Sequence, residues 1–95
     1  MEVWAIVVAA GSGTRFGRRK QYAGLAGRRV VDWAVDAARK ACDGVIVVLP
    51  ASDVGTVDVP GATVVAGAGS RSGSVRAGLA AVPPSADVIV VHDAV

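Results

Sequence analysis

The stretch Ala9-Ala10-Gly11-Ser12-Gly13-Thr14-Arg15-Phe16-Gly17 predicts a sharp turn of the chain, and the rest of the sequence is organised around it. The apolar run Val3–Val8 directly precedes it and is typical of a buried strand. Small residues let the backbone turn and present bare N–H groups, which is how a glycine-rich loop wraps a phosphate. The cations that follow are Arg15, Arg18, Arg19 and Lys20. Amides and clustered positive charges together predict a polyphosphate site.

The spacing within this stretch excludes two common phosphate loops. The dinucleotide fingerprint G-x-G-x-x-G requires glycine at position 16, where Phe16 stands. The Walker pattern also fails, because no Gly-Lys-Ser/Thr occurs in the chain. A purely structural tight turn is the remaining alternative. The specific feature is that Arg15 comes two places after Gly13 and Lys20 comes five places after Arg15.

Composition favours a small α/β domain with a phosphorylated ligand. The 95 residues are 53% apolar, mostly valine and alanine, which suits buried parallel strands and close helix packing. Six of the ten Lys and Arg residues lie between Arg15 and Arg29. Such a basic patch could bind nucleic acid, but no aromatic-rich platform accompanies it. A small phosphorylated ligand is therefore the better interpretation, with no nucleic-acid partner.

Cysteine content and the N-terminal pattern predict a cytoplasmic protein. Cys42 is the single cysteine, so an internal disulfide is excluded and a reducing compartment is favoured. The apolar run near the N-terminus is not typical of a signal peptide, because Glu2 precedes it and the positive charges follow it. No run approaches the length needed to span a membrane, so we expect no membrane partner.

Apolar periodicity predicts alternating strands and helices. A helix is predicted from Val30 to Ala41, with Trp33 in its core face, Asp32 in its first turn, and Arg39 and Lys40 in its last. A second helix is predicted from about Ser72 until Pro83-Pro84 stops it, and Gly78 inside it indicates close packing against a strand. The predicted strands after the first are Gly44–Pro50, Thr63–Val65 and Asp87–Asp93.

Strand–helix–strand repeats with apolar strands predict a parallel sheet covered by helices on both faces. Ligands of such sheets bind at the carboxyl edge of the strands. Three marked features should therefore meet there, namely the first glycine-rich loop, the stretch Ala66–Ser74 after the third strand, and Asp93 at the tip of the fourth.

Four motifs in order resemble the 2-C-methyl-D-erythritol 4-phosphate cytidylyltransferase family. They are Ala9-Ala10-Gly11-Ser12-Gly13-Thr14-Arg15, Lys20-Gln21-Tyr22, Arg71-Ser72-Gly73-Ser74-Val75-Arg76-Ala77-Gly78-Leu79 and Val91-His92-Asp93-Ala94-Val95. The resemblance implies a three-layer αβα, Rossmann-like, mostly parallel sheet of the nucleotide-diphospho-sugar transferase type. Residues 1–95 would be the N-terminal CTP-binding part of a single cytidylyltransferase domain, truncated before the acceptor site. The segment between Arg15 and Lys20 is two residues shorter than in many members of the family.

The resemblance also implies site residues. Arg15 and Lys20 would be catalytic, stabilising charge at the α-phosphate while a polyol phosphate attacks and pyrophosphate leaves. Asp93 would bind Mg²⁺, and the backbone around Gly69 with the Ser74 hydroxyl would read the cytosine edge. The full-length protein would be a homodimer. The CTP-binding residues implied are Ala9, Ala10, Gly11, Ser12, Gly13, Gly67, Ala68, Gly69, Ser74, Asp93 and Ala94.

Other interpretations stay open at this point. A cytidylyltransferase acting on ribitol 5-phosphate shares similar loops, and a non-catalytic nucleotide-binding module is the alternative from another class. A dinucleotide-binding domain is disfavoured by Phe16 and by the lack of an acid at the end of the second strand. Arg15 and Lys20 could be surface cations, Asp93 a strand-end cap and Ser74 a helix-turn hydroxyl. We expect residues 1–95 alone to be poorly stable or associated, because the outer strand presents an unpaired edge, and to be inactive in transfer.

Overall fold

A computed structural model describes residues 1–11 and 20–94, with the backbone alone at Lys20 and Leu25. Two helices, α1 at Val30–Ala41 and α2 at Arg71–Ala81, alternate with strands, and short 3₁₀ turns lie at Lys20–Tyr22 and Ala51–Asp53. The strands are β1 at Val3–Val8, β2 at Gly24–Leu25, β3 at Arg28–Arg29, β4 at Gly44–Leu49, β5 at Thr63–Ala66 and β6 at Val88–Asp93.

The main sheet is parallel throughout, as the apolar runs predicted. Its strand order is β5-β4-β1-β6, and Ile6 in β1 lies between Ile46 in β4 and Val91 in β6. β4 is buried along its whole apolar run, from Val45 to Leu49. A continuous apolar strand of this kind fits a sheet that is covered on both faces.

Each face of the sheet carries one helix, which confirms the three-layer arrangement. Val31 and Val35 of α1 join the core cluster on one face together with Val7 and Val47. On the other face α2 lies so close that a Cβ added to Gly78 would sit 2.6 Å from Cγ2 of Ile6. The prediction that Gly78 marks close helix–strand packing is therefore confirmed.

The prediction that Trp33 belongs to the core was wrong. The buried face of α1 is Val31, Ala34 and Val35, one position away from the predicted stripe, and Trp33 is 39% exposed. The guanidinium carbon of Arg28 lies 4.7 Å from its ring centroid, a cation–π arrangement on the surface. Small and β-branched side chains let α1 approach the sheet, and the bulky ring is left on the outer side.

A hairpin that the sequence analysis missed leads into α1. β2 and β3 pair antiparallel across Ala26 and Gly27, whose φ angles are 51° and 83°. Two successive positive φ angles suit the tight turns that join short antiparallel strands. The hairpin closes on the helix because the N–H of Val30 donates to the carbonyl of Ala23 at 3.0 Å.

The strand β6 leaves apolar side chains exposed on both of its faces. Val88, Ile89, Val90 and Val91 are each between 38% and 46% exposed, and β6 ends the strand order of the main sheet. Unpaired, apolar edge strands are templates for association. Within residues 1–11 and 20–94, no helix has both the length and the hydropathy needed to cross a membrane.

We predict that residues 1–95 self-associate through β6. Val90→Lys, at the most exposed of these positions, should shift the protein towards monomer, because a charged side chain blocks edge pairing. Val54→Lys is the control, since Val54 is 39% exposed but lies in a loop. Sedimentation velocity measures the outcome. A wild-type chain that is monomeric at all concentrations, or equal effects of the two variants, would contradict the prediction.

Candidate functional site

Backbone hydrogen bonds bring three segments together at the carboxyl edge of the sheet. Directly after β1, the N–H of Ala9 donates to the carbonyl of Val48 at 2.8 Å. Directly after β5, the N–H of Gly67 donates to the carbonyl of Leu49 at 2.7 Å, and after β6 that of Ala94 donates to Val8 at 3.0 Å. The predicted convergence of these segments is therefore confirmed. Each loop begins with one residue held to the neighbouring strand.

The first loop is held by a buried glutamine. Gln21 is only 3% exposed, and its Nε2 donates to the carbonyls of Ala9 at 2.9 Å and Gly11 at 2.8 Å. Gln21 lies in the 3₁₀ turn that Lys20 begins. Gln21 belongs to the motif Lys20-Gln21-Tyr22, but no role could be predicted for it. Nothing in the sequence pattern shows that this polar residue is buried.

The first and second loops touch at Ala10 and Gly67. A Cβ added to Gly67 would lie 2.5 Å from the Cβ of Ala10 and 2.8 Å from the Oγ of Ser74. The carbonyl oxygen of Leu49 would be 3.2 Å away. Position 67 therefore accepts only glycine without movement of the neighbouring backbone, and this close approach sets the separation of the two loops.

The hydroxyl of Ser74 shapes the second loop. Ser74 is 1% exposed; its Oγ accepts from the N–H of Ala68 at 3.2 Å and lies 3.4 Å from the Ala68 carbonyl, to which it can donate. Ser70 caps α2 by accepting from the N–H of Gly73 at 3.1 Å. Gly69 is the open part of the loop, since a Cβ there would meet no atom within 4 Å. That Ser74 and Gly69 read a base stays a prediction.

An ion pair that sequence reasoning missed joins α2 to the tip of β6. Arg71 donates from Nε and from one terminal nitrogen to the two carboxylate oxygens of Asp93, each at 2.9 Å. These hydrogen bonds hold the pKa of the Asp93 carboxyl below its usual range and raise the pKa of Arg71. The side chains are 60% and 47% exposed, so the pair adds little stability. It does keep an ionised, oriented carboxylate at the carboxyl edge.

Several predicted site residues lie outside the described residues. These are Ser12, Gly13 and Arg15, and for Lys20 the backbone alone is described. The structure brings together the remaining ones at one edge. They are Ala9, Ala10, Gly11, Gly67, Ala68, Gly69, Ser74, Asp93 and Ala94.

The donor set at this edge suits a metal that is shared with a ligand. Among the described residues no group of three or more His, Cys, Asp or Glu side chains could hold an ion. Asp93 offers one carboxylate. Mg²⁺ is commonly bound by one or two carboxylates while substrate phosphates and water complete its shell. A single carboxylate beside a loop that the sequence predicts to bind phosphate fits that arrangement.

A charged cavity of about 320 Å³ lies along α1, and its Arg and Asp side chains largely neutralise one another. Arg29 donates to both oxygens of Asp32, at 2.8 and 2.9 Å, and to the carbonyl of Asp58 at 2.6 Å. The hydrogen bonds from Arg29 lower the pKa of Asp32. Arg28 lies 3.6 Å from a carboxylate oxygen of Asp36. This network links the hairpin, α1 and the loop before β5, so we assign it to the fold.

Comparison with known proteins identifies one family across nearly the whole chain. Its sequence model, described as "IspD: 2-C-methyl-D-erythritol 4-phosphate cytidylyltransferase", matches residues 3–95. A protein of that name from Endomicrobium trichonymphae is 41% identical over 97 residues, which cover 95% of this chain and 44% of the relative. The chain thus spans less than half the length of this relative.

Solved structures share the fold. Rv0371c from Mycobacterium tuberculosis H37Rv matches with a TM-score of 0.85 and 29% identity, over 99% of this chain and 52% of that one. A manganese complex of Rv0371c matches with a TM-score of 0.75, at 28% identity and over 99% and 50% of the two chains. The 2-C-methyl-D-erythritol 4-phosphate cytidylyltransferase from Thermus thermophilus has a TM-score of 0.73 and 30% identity, over 99% of this chain and 41% of that one.

We predict that Gly67→Ala destabilises the protein by about 1–3 kcal/mol, because the added methyl overpacks the contact between the two loops. Gly69→Ala is the matched control in the same loop, where nothing lies within 4 Å of the added carbon. That variant should stay within about 0.5 kcal/mol of wild type. Urea unfolding of the full-length protein measures both. Equal stability of the two variants would show that the loops are not in contact.

Proposed function

This chain belongs to the 2-C-methyl-D-erythritol 4-phosphate cytidylyltransferase family, and on that premise we propose that the full-length protein transfers the cytidylyl group of CTP to 2-C-methyl-D-erythritol 4-phosphate. Residues 1–95 would then be the N-terminal, CTP-binding part of a single domain. The observation that carries the proposal is the meeting of three motif-bearing loops at one sheet edge. We also propose that the protein works in the cytoplasm as a homodimer, with CTP and a polyol phosphate as its partners.

In the proposed complex CTP lies across this edge. Its triphosphate would contact the amides from Ala10 to Gly13, and its base would lie against Gly67–Gly69. The close approach of Ala10 to Gly67 supports this placement, because it holds the two loops next to each other. We propose that the base site takes a pyrimidine in preference to a purine. Ser74 would then act on the base through the Ala68 segment that it holds.

In this reaction the protein would position the two substrates and stabilise the negative charge on the α-phosphate. A phosphate oxygen of the acceptor forms a bond to the α-phosphorus of CTP, and the bond between that phosphorus and the bridging oxygen breaks. Pyrophosphate leaves with the electron pair. Arg15 and Lys20 would stabilise the negative charge that grows on the α-phosphate oxygens, since cations in a dehydrated site act most strongly on developing charge.

Asp93 would be the protein ligand for a divalent cation, Mg²⁺ in our proposal. Bound there with the nucleotide, the cation would supply charge neutralisation on the phosphates. The manganese complex of the structural neighbour Rv0371c supports a divalent cation in this fold. Each carboxylate oxygen of Asp93 accepts one hydrogen bond from Arg71 in the present structure and keeps a further lone pair that could coordinate the cation.

We predict that the full-length protein releases pyrophosphate when CTP, Mg²⁺ and 2-C-methyl-D-erythritol 4-phosphate are combined, and that ATP or GTP is a far poorer donor. A coupled pyrophosphate assay measures this directly. Ribitol 5-phosphate is tested in parallel as the competing acceptor. Faster reaction with ribitol 5-phosphate would replace the proposed acceptor. Saturable CTP binding without release from either acceptor would favour a binding module.

We predict that Arg15→Ala and Lys20→Ala each lower kcat by roughly 10²–10³-fold, because each would remove a cation that, in this proposal, stabilises charge that grows in the transition state. CTP affinity should fall much less. Lys40→Ala, at an exposed cation near the end of α1, is the control and should retain wild-type kcat. Steady-state kinetics and CTP titration separate the effects. Weaker CTP binding with normal kcat would contradict this prediction, because the two cations would then bind CTP without stabilising the transition state.

A further inference from the structure

The side chain of Gln21 is a buried polar group that bonds to the first loop. It is 3% exposed, and both hydrogens of its amide nitrogen have a carbonyl partner, at Ala9 and at Gly11. Because both partners are acceptors, the orientation of the carboxamide is fixed by chemistry. The proposed mechanism assigns no role to Gln21, although the Gln21 side chain bonds to the segment on which the triphosphate would lie.

These hydrogen bonds fix which way the loop presents its amides. The peptide bonds of the described residues are trans, so the N–H of Ala10 points away from the carbonyl of Ala9. Since that carbonyl is turned towards Gln21, the N–H of Ala10 is turned to the opposite side. The N–H of Ala9 is already bonded to Val48, which fixes the preceding peptide as well. Gln21 thereby holds the orientation of the first amide of the phosphate loop.

Only a carboxamide of this length meets the requirement. Two carbonyl acceptors need two hydrogens from one compact, uncharged group, which the Nε2 of glutamine supplies. A glutamate carboxylate would place its acceptor oxygens against the two carbonyl oxygens and would repel them. Asparagine has the same amide group, but its side chain is one methylene shorter and reaches less far. An apolar isostere would leave both carbonyls without this donor, and the loss is costly at the buried Ala9 carbonyl.

We infer that Gln21 is a positioning residue that holds the carbonyls of Ala9 and Gly11 towards its own side chain, so that the loop amides face the nucleotide phosphates. The inference rests on the proposed function, because the phosphates belong to CTP. Lys20 begins the same 3₁₀ turn, so the backbone of a proposed catalytic residue is anchored to the loop through the next residue along the chain. Gln21 acts through the backbone and need not touch the nucleotide.

The test compares two variants of the same turn in the full-length protein. Gln21→Met keeps the side-chain volume and removes both hydrogen bonds to the loop. Tyr22→Phe is the matched control, since it removes a hydrogen bond of 2.7 Å from the Tyr22 hydroxyl to Asp53, away from the loop. The readouts are urea stability, CTP dissociation constant, kcat, and the amide resonances of Ala10 and Gly11 in the ligand-free protein.

We expect Gln21→Met to weaken CTP binding by roughly ten- to hundred-fold, the range expected when buried acceptors lose their donor. It should also shift the Ala10 and Gly11 resonances, whereas Tyr22→Phe should alter stability alone. Gln21→Asn, which keeps the amide but loses reach, should show the same pattern more weakly.

The outcomes separate the inference from the proposed function. A wild-type protein without CTP binding or transfer would overturn the proposed function, and the inference with it. An active wild type with unchanged CTP affinity and loop resonances in Gln21→Met would overturn the inference alone. Failure of both Gln21→Met and Gln21→Asn to fold would also overturn it, because Gln21 would then be a determinant of the whole fold.

Discussion

The structure depends on the parallel hydrogen-bond ladder of β1, which lies between β4 and β6. Parallel strands end at the same edge of a sheet, so whatever follows them is brought together without any further contact. The ladder also continues one residue into each loop, through Ala9, Gly67 and Ala94. The convergence of the loops therefore starts from backbone hydrogen bonds between neighbouring strands.

Small residues allow the elements that meet at this edge to pack closely. Gly78 lets α2 lie against Ile6, and Gly67 lets the second loop touch Ala10 of the first. Both contacts depend on small residues, in which this chain is rich. Buried polar groups then fix the details, since Gln21 holds the first loop and Ser74 the second. The two side chains lie beneath the site and orient backbone that is exposed above them.

The sequence predicted the parts of the fold that depend on local pattern and topology. Continuous apolar runs identified the four main strands, and the rule that loops gather at the carboxyl edge placed the stretch Ala66–Ser74 at the same edge as the first loop. The contact between Gly67 and Ala10 is seen only in the structure. Helical periodicity in an alanine-rich segment left the rotation of α1 uncertain by one residue, so Trp33 was wrongly placed in the core. Gln21 and the Arg71–Asp93 pair were missed because their partners are distant in sequence and no pattern marks them.

We propose that the three loops act as one nucleotide site. The decisive measurement is the change in backbone amide chemical shifts of the full-length protein during titration with CTP and Mg²⁺. We expect the amide resonances of Ala10, Gly69 and Ala94 to shift together and to follow the same saturation curve with CTP. Shifts confined to the arginine-lined cavity along α1, around Arg28 and Arg39, with the carboxyl edge unchanged, would contradict it.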